Sequence, residues 1–304
     1  MTPLPRQYLS GLLAVICASI IWGSIGIAAN MASQVAPMTM GAAAMAGGGF
    51  LQAISAVSSI QRSLSNLRPL WGYVLLGGLA VAIDPLAFYT SMHLAGVAAS
   101  TVVALGSAPL FSAVIDTVMD RSKLGIRWGV SAFLGIAGIT ALSFAETHGA
   151  HQTAPAPLLG IFLALIMGFT YAFYSWAAHR LMHRHIPARA AMGSIFGVGA
   201  LFLTPFLIIT GGALLHPWHN IAVSLYLAVI PMFCGFTLFG YGLRFLPASI
   251  ATTITLLEPT IAAILATTLL GEHLSLTGWL GIVTIMASLL CVTWPGKSAV
   301  TERD

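Results

Sequence analysis

Three acidic side chains stand in stretches too apolar to welcome them: Asp84, Asp116 and Glu258. Glu258 lies in TITLLEPTI (253–261), directly before Pro259, and Asp84 lies in AVAIDPLAF (80–88), directly before Pro85. A carboxylate in such a place can bind an amine, carry a proton, or tie two helices together. Proline has no N–H and disfavours helix at the residue before it. The backbone near Thr255 and Leu256 is therefore expected to lose helical partners, which is tolerated only where it is buried or lines water. Two readings fit Glu258 and Asp84: a place beside a ligand path, or a protonated acid joining helices. Asp116 and Asp120 are spaced i, i+4 with Arg121 adjacent, so an interfacial ion pair with Arg121 is the simplest expectation.

A second group of candidates is aromatic. Trp22, Phe88, Tyr89, Tyr171, Tyr174, Trp176, Phe236, Phe239 and Tyr241 all fall inside long apolar runs. The tyrosine hydroxyls need partners when buried. A hollow lined by rings with a few polar groups suits a small amphipathic ligand. The candidate binding set is therefore Trp22, Asp84, Phe88, Tyr89, Tyr171, Tyr174, Tyr241 and Glu258, with helix packing or lipid contact as the competing reading for each ring. His179, His183 and His185 have metal-like spacing, but Arg180 and Arg184 between them would repel a cation. No metal or other cofactor is expected. Cys17, Cys234 and Cys291 are far apart in apolar runs and form no disulfide or metal pattern. No HExxH, GxSxG, Walker loop or strand-borne GxGxxG is present, so an enzyme is not expected.

The elements that position these residues follow from composition. Of 304 residues 58% are hydrophobic and 7% charged, against about 25% charged in a soluble domain. Lipid must replace water over much of the surface. A ruler of roughly 20 apolar residues per crossing gives ten helices, about 8–31, 37–60, 70–92, 96–119, 126–145, 158–180, 188–210, 220–244, 248–270 and 276–294. The first run is too long for a signal h-region, so it is expected to stay as a span despite the small residues Ala28-Ala29-Asn30-Met31-Ala32. The breaks at Leu94–Gly96 and Leu246–Pro247 are tight enough for hairpins. With the N-terminus inside, all twelve basic residues face the cytoplasm: Arg6, Arg62, Arg68, Arg121, Lys123, Arg127, Arg180, Arg184, Arg189, Arg244, Lys297 and Arg303. Twelve scattered cations make no basic patch, so nucleic acid is not an expected partner; the bilayer is. Trp71, Trp128, Trp218, Trp279 and Trp294 near span ends read as interfacial anchors, and His93 and His273 as interfacial too. Gly41, Gly47, Gly48, Gly49, Gly135, Gly138, Gly278 and Gly281 read as close-packing surfaces.

The chain also repeats on itself. SMHLAGVAASTVVALGSAPLFSAVIDTVMDRSKLG (91–125) aligns with GLRFLPASIATTITLLEPTIAAILATTLLGEHLS (242–275), proline against proline (Pro109, Pro259), and Trp22 falls against Tyr171. Five spans per copy is an odd number, so the second copy must enter the membrane from the opposite side. The expected fold is all-α: ten transmembrane helices as two inverted five-helix repeats, 1–149 and 150–304. Inverted repeats are typical of secondary transporters, with the ligand near the midplane.

The motifs AVICASIIWGSIGIAANMAS, LRFLPASIATTITLLEP and LLGEHLSLTGWLG around Glu272 resemble the drug/metabolite transporter superfamily, EamA type, over nearly the whole chain. In the first half Asp120-Arg121-Ser122 stands where the GE element belongs, a departure from the pattern. The resemblance implies an exporter of small metabolites in a bacterial inner membrane. Spans one to four and six to nine would line its path, with five and ten as supports. Within the superfamily the chain looks most like aromatic amino-acid exporters. Sugar phosphates or nucleotide sugars are the alternative cargo, though no Lys or Arg falls mid-span to meet an anion. An intramembrane enzyme would need Asp84 and Glu258 to meet. A monomer is compatible with all of this.

Overall fold

The computed structural model describes residues 6–32, 34–121, 124–146, 155–269 and 275–293. Lys123, Glu272, His273, Trp294, Lys297 and Arg303 lie outside the described residues. Within these residues the chain is helical with no strand, and ten helices are long and apolar enough to cross a membrane. They are span one Arg6–Asn30, two Pro37–Arg62, three Leu64–Ala95, four Ala99–Asp120, five Ile126–Ser143, six Pro157–His183, seven Ala188–Leu214, eight Trp218–Leu243, nine Ala248–Leu269 and ten Leu276–Thr293. The shortest has 18 residues, about 27 Å at 1.5 Å per residue. Outside a few interruptions, each satisfies its own backbone while crossing the hydrocarbon.

The prolines act unequally. Pro85, Pro109 and Pro205 sit inside continuous helices, so Asp84 lies in an unbroken turn. Span nine, in contrast, breaks: one helix ends at Ile254 and the next begins at Leu257, placing Glu258 in a first turn. Span one breaks as well, after Trp22, resuming at Ile25. Span eight loosens into a π-helix over Ala228–Gly235, around Pro231. All three irregularities lie beside the same interior space. The tight turns are present as expected, Gly96 supplying a φ of 87° between spans three and four.

Small residues set the helix pairing, because lipid offers no hydrophobic drive for helices to associate. Spans two and seven meet where a Cβ on Gly49 would lie 2.4 Å from the Phe196 carbonyl oxygen. Spans five and ten meet at Gly138 and Gly281, where a Cβ on either would come within 2.8 Å of the other's carbonyl oxygen. Ser131 and Ser288 reinforce that pair by each donating to the other's carbonyl, at 2.8 and 2.7 Å. Span three packs on six and seven, span four on six, span eight on one and two, and span nine on one. Moving every helix on by five exchanges these pairs: three with six becomes eight with one, and four with six becomes nine with one.

The interfacial tryptophans divide. Trp71, Trp218 and Trp279 are exposed. Trp128 is half-buried and donates from Nε1 to the Ser249 carbonyl at 3.4 Å, tying span five to span nine.

Candidate functional site

Between the helices of both halves lies a cavity of about 770 Å³ of atom-free space, counted out through its open side. Span one contributes Trp22 and Ile25, span two Gly41, Ala44 and Met45, and span three Asp84, Pro85, Phe88 and Tyr89. Leu105 comes from span four, Met167, Tyr171 and Tyr174 from span six, Leu227, Met232 and Phe236 from span eight, and Glu258 from span nine. Seven of the eight sequence candidates thus share one wall. The lining holds two carboxylates and no Lys, Arg or His.

Each polar group has a distinct setting. Thr170 Oγ1 donates to Asp84 Oδ2 at 3.5 Å, a long bond, and Asp84 is 5% exposed. Among the described residues the Glu258 carboxylate has no hydrogen-bond partner, while its backbone N–H donates to the Thr255 carbonyl at 3.0 Å. Tyr171 donates its hydroxyl to Thr255 Oγ1 at 3.0 Å, so the break in span nine is held by a ring from span six. Trp22 donates from Nε1 to the Pro231 carbonyl at 2.8 Å, bridging the interruptions of spans one and eight. Tyr89 and Tyr174 line the same cavity, and among the described residues neither hydroxyl has a hydrogen-bond partner. Tyr89 can occupy its position because span two has Gly41 there: a Cβ would lie 1.9 Å from the ring.

Tyr241 is not in this group. It is 41% exposed, its ring rests on Phe245 at 5.2 Å, and its hydroxyl lies 3.2 Å from Ser10 Oγ. Two residues from the end of span eight, it faces outward beside span one.

Toward the end of the bundle where span one begins and span ten finishes, the terminal end, a packed layer closes over the cavity. Trp22 and Phe236 meet at 4.7 Å between ring centroids and Phe196 and Phe236 at 4.5 Å. Leu181, Leu243 and Leu246 beyond them are fully buried. Polar ties close the layer after that. Arg180 pairs with Asp120, and Trp176 Nε1 donates to Asp120 Oδ2 at 2.6 Å. Asp116 accepts the Ser249 N–H at 3.0 Å, capping the start of span nine from span four. His179 Nδ1 lies 2.6 Å from the Leu243 carbonyl; a carbonyl only accepts, so Nδ1 carries the proton. The expected Asp120–Arg121 pair is replaced by Asp120–Arg180. Arg121 leaves the helix end with φ 54° and is exposed. His179 and His183 meet edge-to-face at 4.3 Å between ring centroids, and among the described residues no group of His, Cys, Asp and Glu forms a metal site.

Sequence reasoning did not single out Met45, Leu105, Met167 or Met232 as lining residues. Apolar residues in apolar helices carry no signal of which way they face.

The fold and this two-carboxylate, ring-lined hollow meet a family pattern that matches the sequence twice. The model of the EamA-like transporter family fits residues 9–144 and again 158–294. The chain belongs to that family. Among its relatives is the uncharacterized transporter YwfM of Bacillus subtilis, 29% identical over 95% of this chain and 96% of that protein. The uncharacterized inner membrane transporter YedA of Escherichia coli K12 is 25% identical over 97% and 96%. The threonine/homoserine exporter RhtA of Escherichia coli K12 is 28% identical over 61% of this chain and 60% of that one. A solved crystal structure superposes on this EamA-like transporter with a TM-score of 0.76 over 93% of the chain, at 20% identity, and shows the same fold.

Proposed function

We propose that this EamA-like transporter is a secondary exporter of amino acids, aromatic or large neutral ones, in a bacterial inner membrane. The observation that carries the reading is the composition of the cavity: two carboxylates, a wall of rings and no cation. A substrate ammonium would be met by Asp84 or Glu258, at short range in a low-dielectric setting. Trp22, Phe88 and Phe236 would face its apolar side chain. Its carboxylate would take the unpartnered hydroxyls of Tyr89 and Tyr174. The name of RhtA, an amino-acid exporter, is consistent with this class. A sugar phosphate or nucleotide sugar would bring two or more negative charges to a lining that holds two carboxylates and no Lys, Arg or His.

Transport would proceed by alternating access between two inverted five-helix halves, 1–149 and 150–304. The exchange of packing pairs on moving five helices along supports that symmetry, as does the double match of the family pattern. The basic residues at the terminal end favour a cytoplasmic N- and C-terminus. The seal of Phe196, Phe236, Leu181 and Leu243 then lies on the cytoplasmic side, so the conformation described is closed inward. Opening inward must part the Asp120–Arg180 and Asp116–Ser249 ties. The breaks in spans one and nine, each flanking the cavity, are the places where backbone can bend at least cost.

The test is uptake into proteoliposomes of one labelled aromatic amino acid against a panel of unlabelled competitors. Competition by aromatic and large neutral amino acids, and none by sugar phosphates, is the expected outcome. Uptake that only phosphorylated compounds compete for would overturn the assignment.

A further inference from the structure

A second groove lies on the outer face of the bundle, away from the central cavity, between spans two, three and seven. It encloses about 730 Å³ counted to its open side, and its lining is almost wholly apolar. Phe50, Leu64, Trp71 and Leu201 on its walls are exposed, which in a membrane means exposed to lipid. Gly193 and Gly197 line it where span seven presses on span two, a Cβ there lying 2.5 Å from Ala56 Cβ and 2.8 Å from Ala53 Cβ. Ser194 is among the lining residues, and its Oγ is buried without a hydrogen-bond partner among the described residues.

The mouth of this groove is basic. Arg62 ends span two, Arg68 sits three residues before Trp71, and both are exposed. Arg189 Nη2 donates to the Ser55 carbonyl at 2.9 Å, which holds its guanidinium against span two; among the described residues its other N–H groups have no partner. Spans two and seven, and the 63–70 connection, contain no Asp or Glu. Trp71 marks headgroup depth, where indoles settle. Thus an apolar slot runs into the hydrocarbon from three arginines at the interface, with one unsatisfied hydroxyl beneath them.

We propose that this groove binds an anionic phospholipid. One acyl chain lies in the slot over Gly193 and Gly197, the phosphate is held by Arg62, Arg68 and Arg189, and the Ser194 hydroxyl donates to an ester carbonyl. A guanidinium fork matches phosphate oxygens. A zwitterionic lipid would fill the slot equally well but gain less from the arginines. The inference does not depend on what the central cavity carries.

Native mass spectrometry of the full chain tests it, with equimolar phosphatidylglycerol and phosphatidylethanolamine offered in detergent. Each basic residue near an anionic headgroup contributes roughly a fivefold preference, so phosphatidylglycerol should be retained more than about tenfold over phosphatidylethanolamine. The triple variant Arg62→Gln, Arg68→Gln, Arg189→Gln should abolish that preference, and Ser194→Leu, which fills the slot, should lower retention of both lipids. Arg121→Gln, an exposed cation at the same end but off the groove, should leave the preference intact. Equal retention of the two lipids by the parent protein, or an equal loss on Arg121→Gln, would overturn the proposal.

Discussion

Glu258→Gln is the sharpest perturbation the cavity offers. The side chain keeps its shape and loses its charge. Because the carboxylate makes no hydrogen bond among the described residues, none of those groups is orphaned by the change. Folding should not suffer: an ionisable group inside the bilayer costs about 2.5–3.5 kcal/mol on insertion scales, and its amide costs less. The effect should fall on the ligand. A hydrogen bond to a charged group contributes roughly 1.5–3 kcal/mol, which corresponds to about a 10- to 150-fold change in affinity. Counterflow in proteoliposomes, with an aromatic amino acid inside and label outside, reads this as a rise in the half-saturating concentration. A thermodynamic cycle sharpens it. The N-acetyl analogue, which lacks the ammonium, should bind the parent protein more weakly by a similar factor. It should bind Glu258→Gln no worse than it binds the parent. If the free amino acid and its N-acetyl analogue lose affinity equally on Glu258→Gln, the acid does not read the amine and the reasoning fails.

Other consequences are as direct. Gly41→Ala places a methyl 1.9 Å from the Tyr89 ring, so the ring must swing into the cavity; counterflow should fall severalfold while the thermal midpoint by fluorescence stays within a few degrees. Trp22→Phe removes the indole donor to Pro231 and should cost about 1 kcal/mol of stability, readable as a lower denaturation midpoint, with transport retained. Asp120→Asn and Arg180→Gln should weaken the same tie: a double-mutant cycle is expected to give a coupling of roughly 1 kcal/mol, and each single change should speed labelling of a cysteine placed at Leu246. Gly138→Leu drives a side chain into the Gly281 backbone 2.8 Å away and should abolish folded yield in size-exclusion chromatography.

What the sequence made visible, and what it hid, follows from the solvent. Ten spans were readable because water and lipid sort residues by length and charge alone. The break at Glu258 was readable because Pro259 imposes it chemically; Pro85 follows Asp84 in the same way, yet span three passes through unbroken, since packing against six and seven holds the turn. The direction a side chain faces was much harder to see. In water a helix advertises its buried face by contrast with a polar one. In lipid both faces are apolar, and the contrast vanishes. Tyr241 illustrates this: it sits in span eight with Phe236 and Phe239, but it turns away from them to the outer face. Met45 and Met232 were invisible for the same reason. Asp120 found Arg180 rather than Arg121 because neighbours in sequence diverge around a helix, whereas span six brings Arg180 alongside. Glycines were more eloquent: their clustering in spans two, five and ten located the contacts that the structure makes.

The central claim is that the hollow between the two halves is the substrate path and is closed at the terminal end. A single cysteine at Met232, in a chain with Cys17, Cys234 and Cys291 replaced by alanine, tests it in oriented proteoliposomes. Its modification by a membrane-impermeant maleimide should occur from the face opposite the termini and slow severalfold with saturating substrate. Labelling from the terminal face alone, or a rate indifferent to every transported amino acid, would contradict the account.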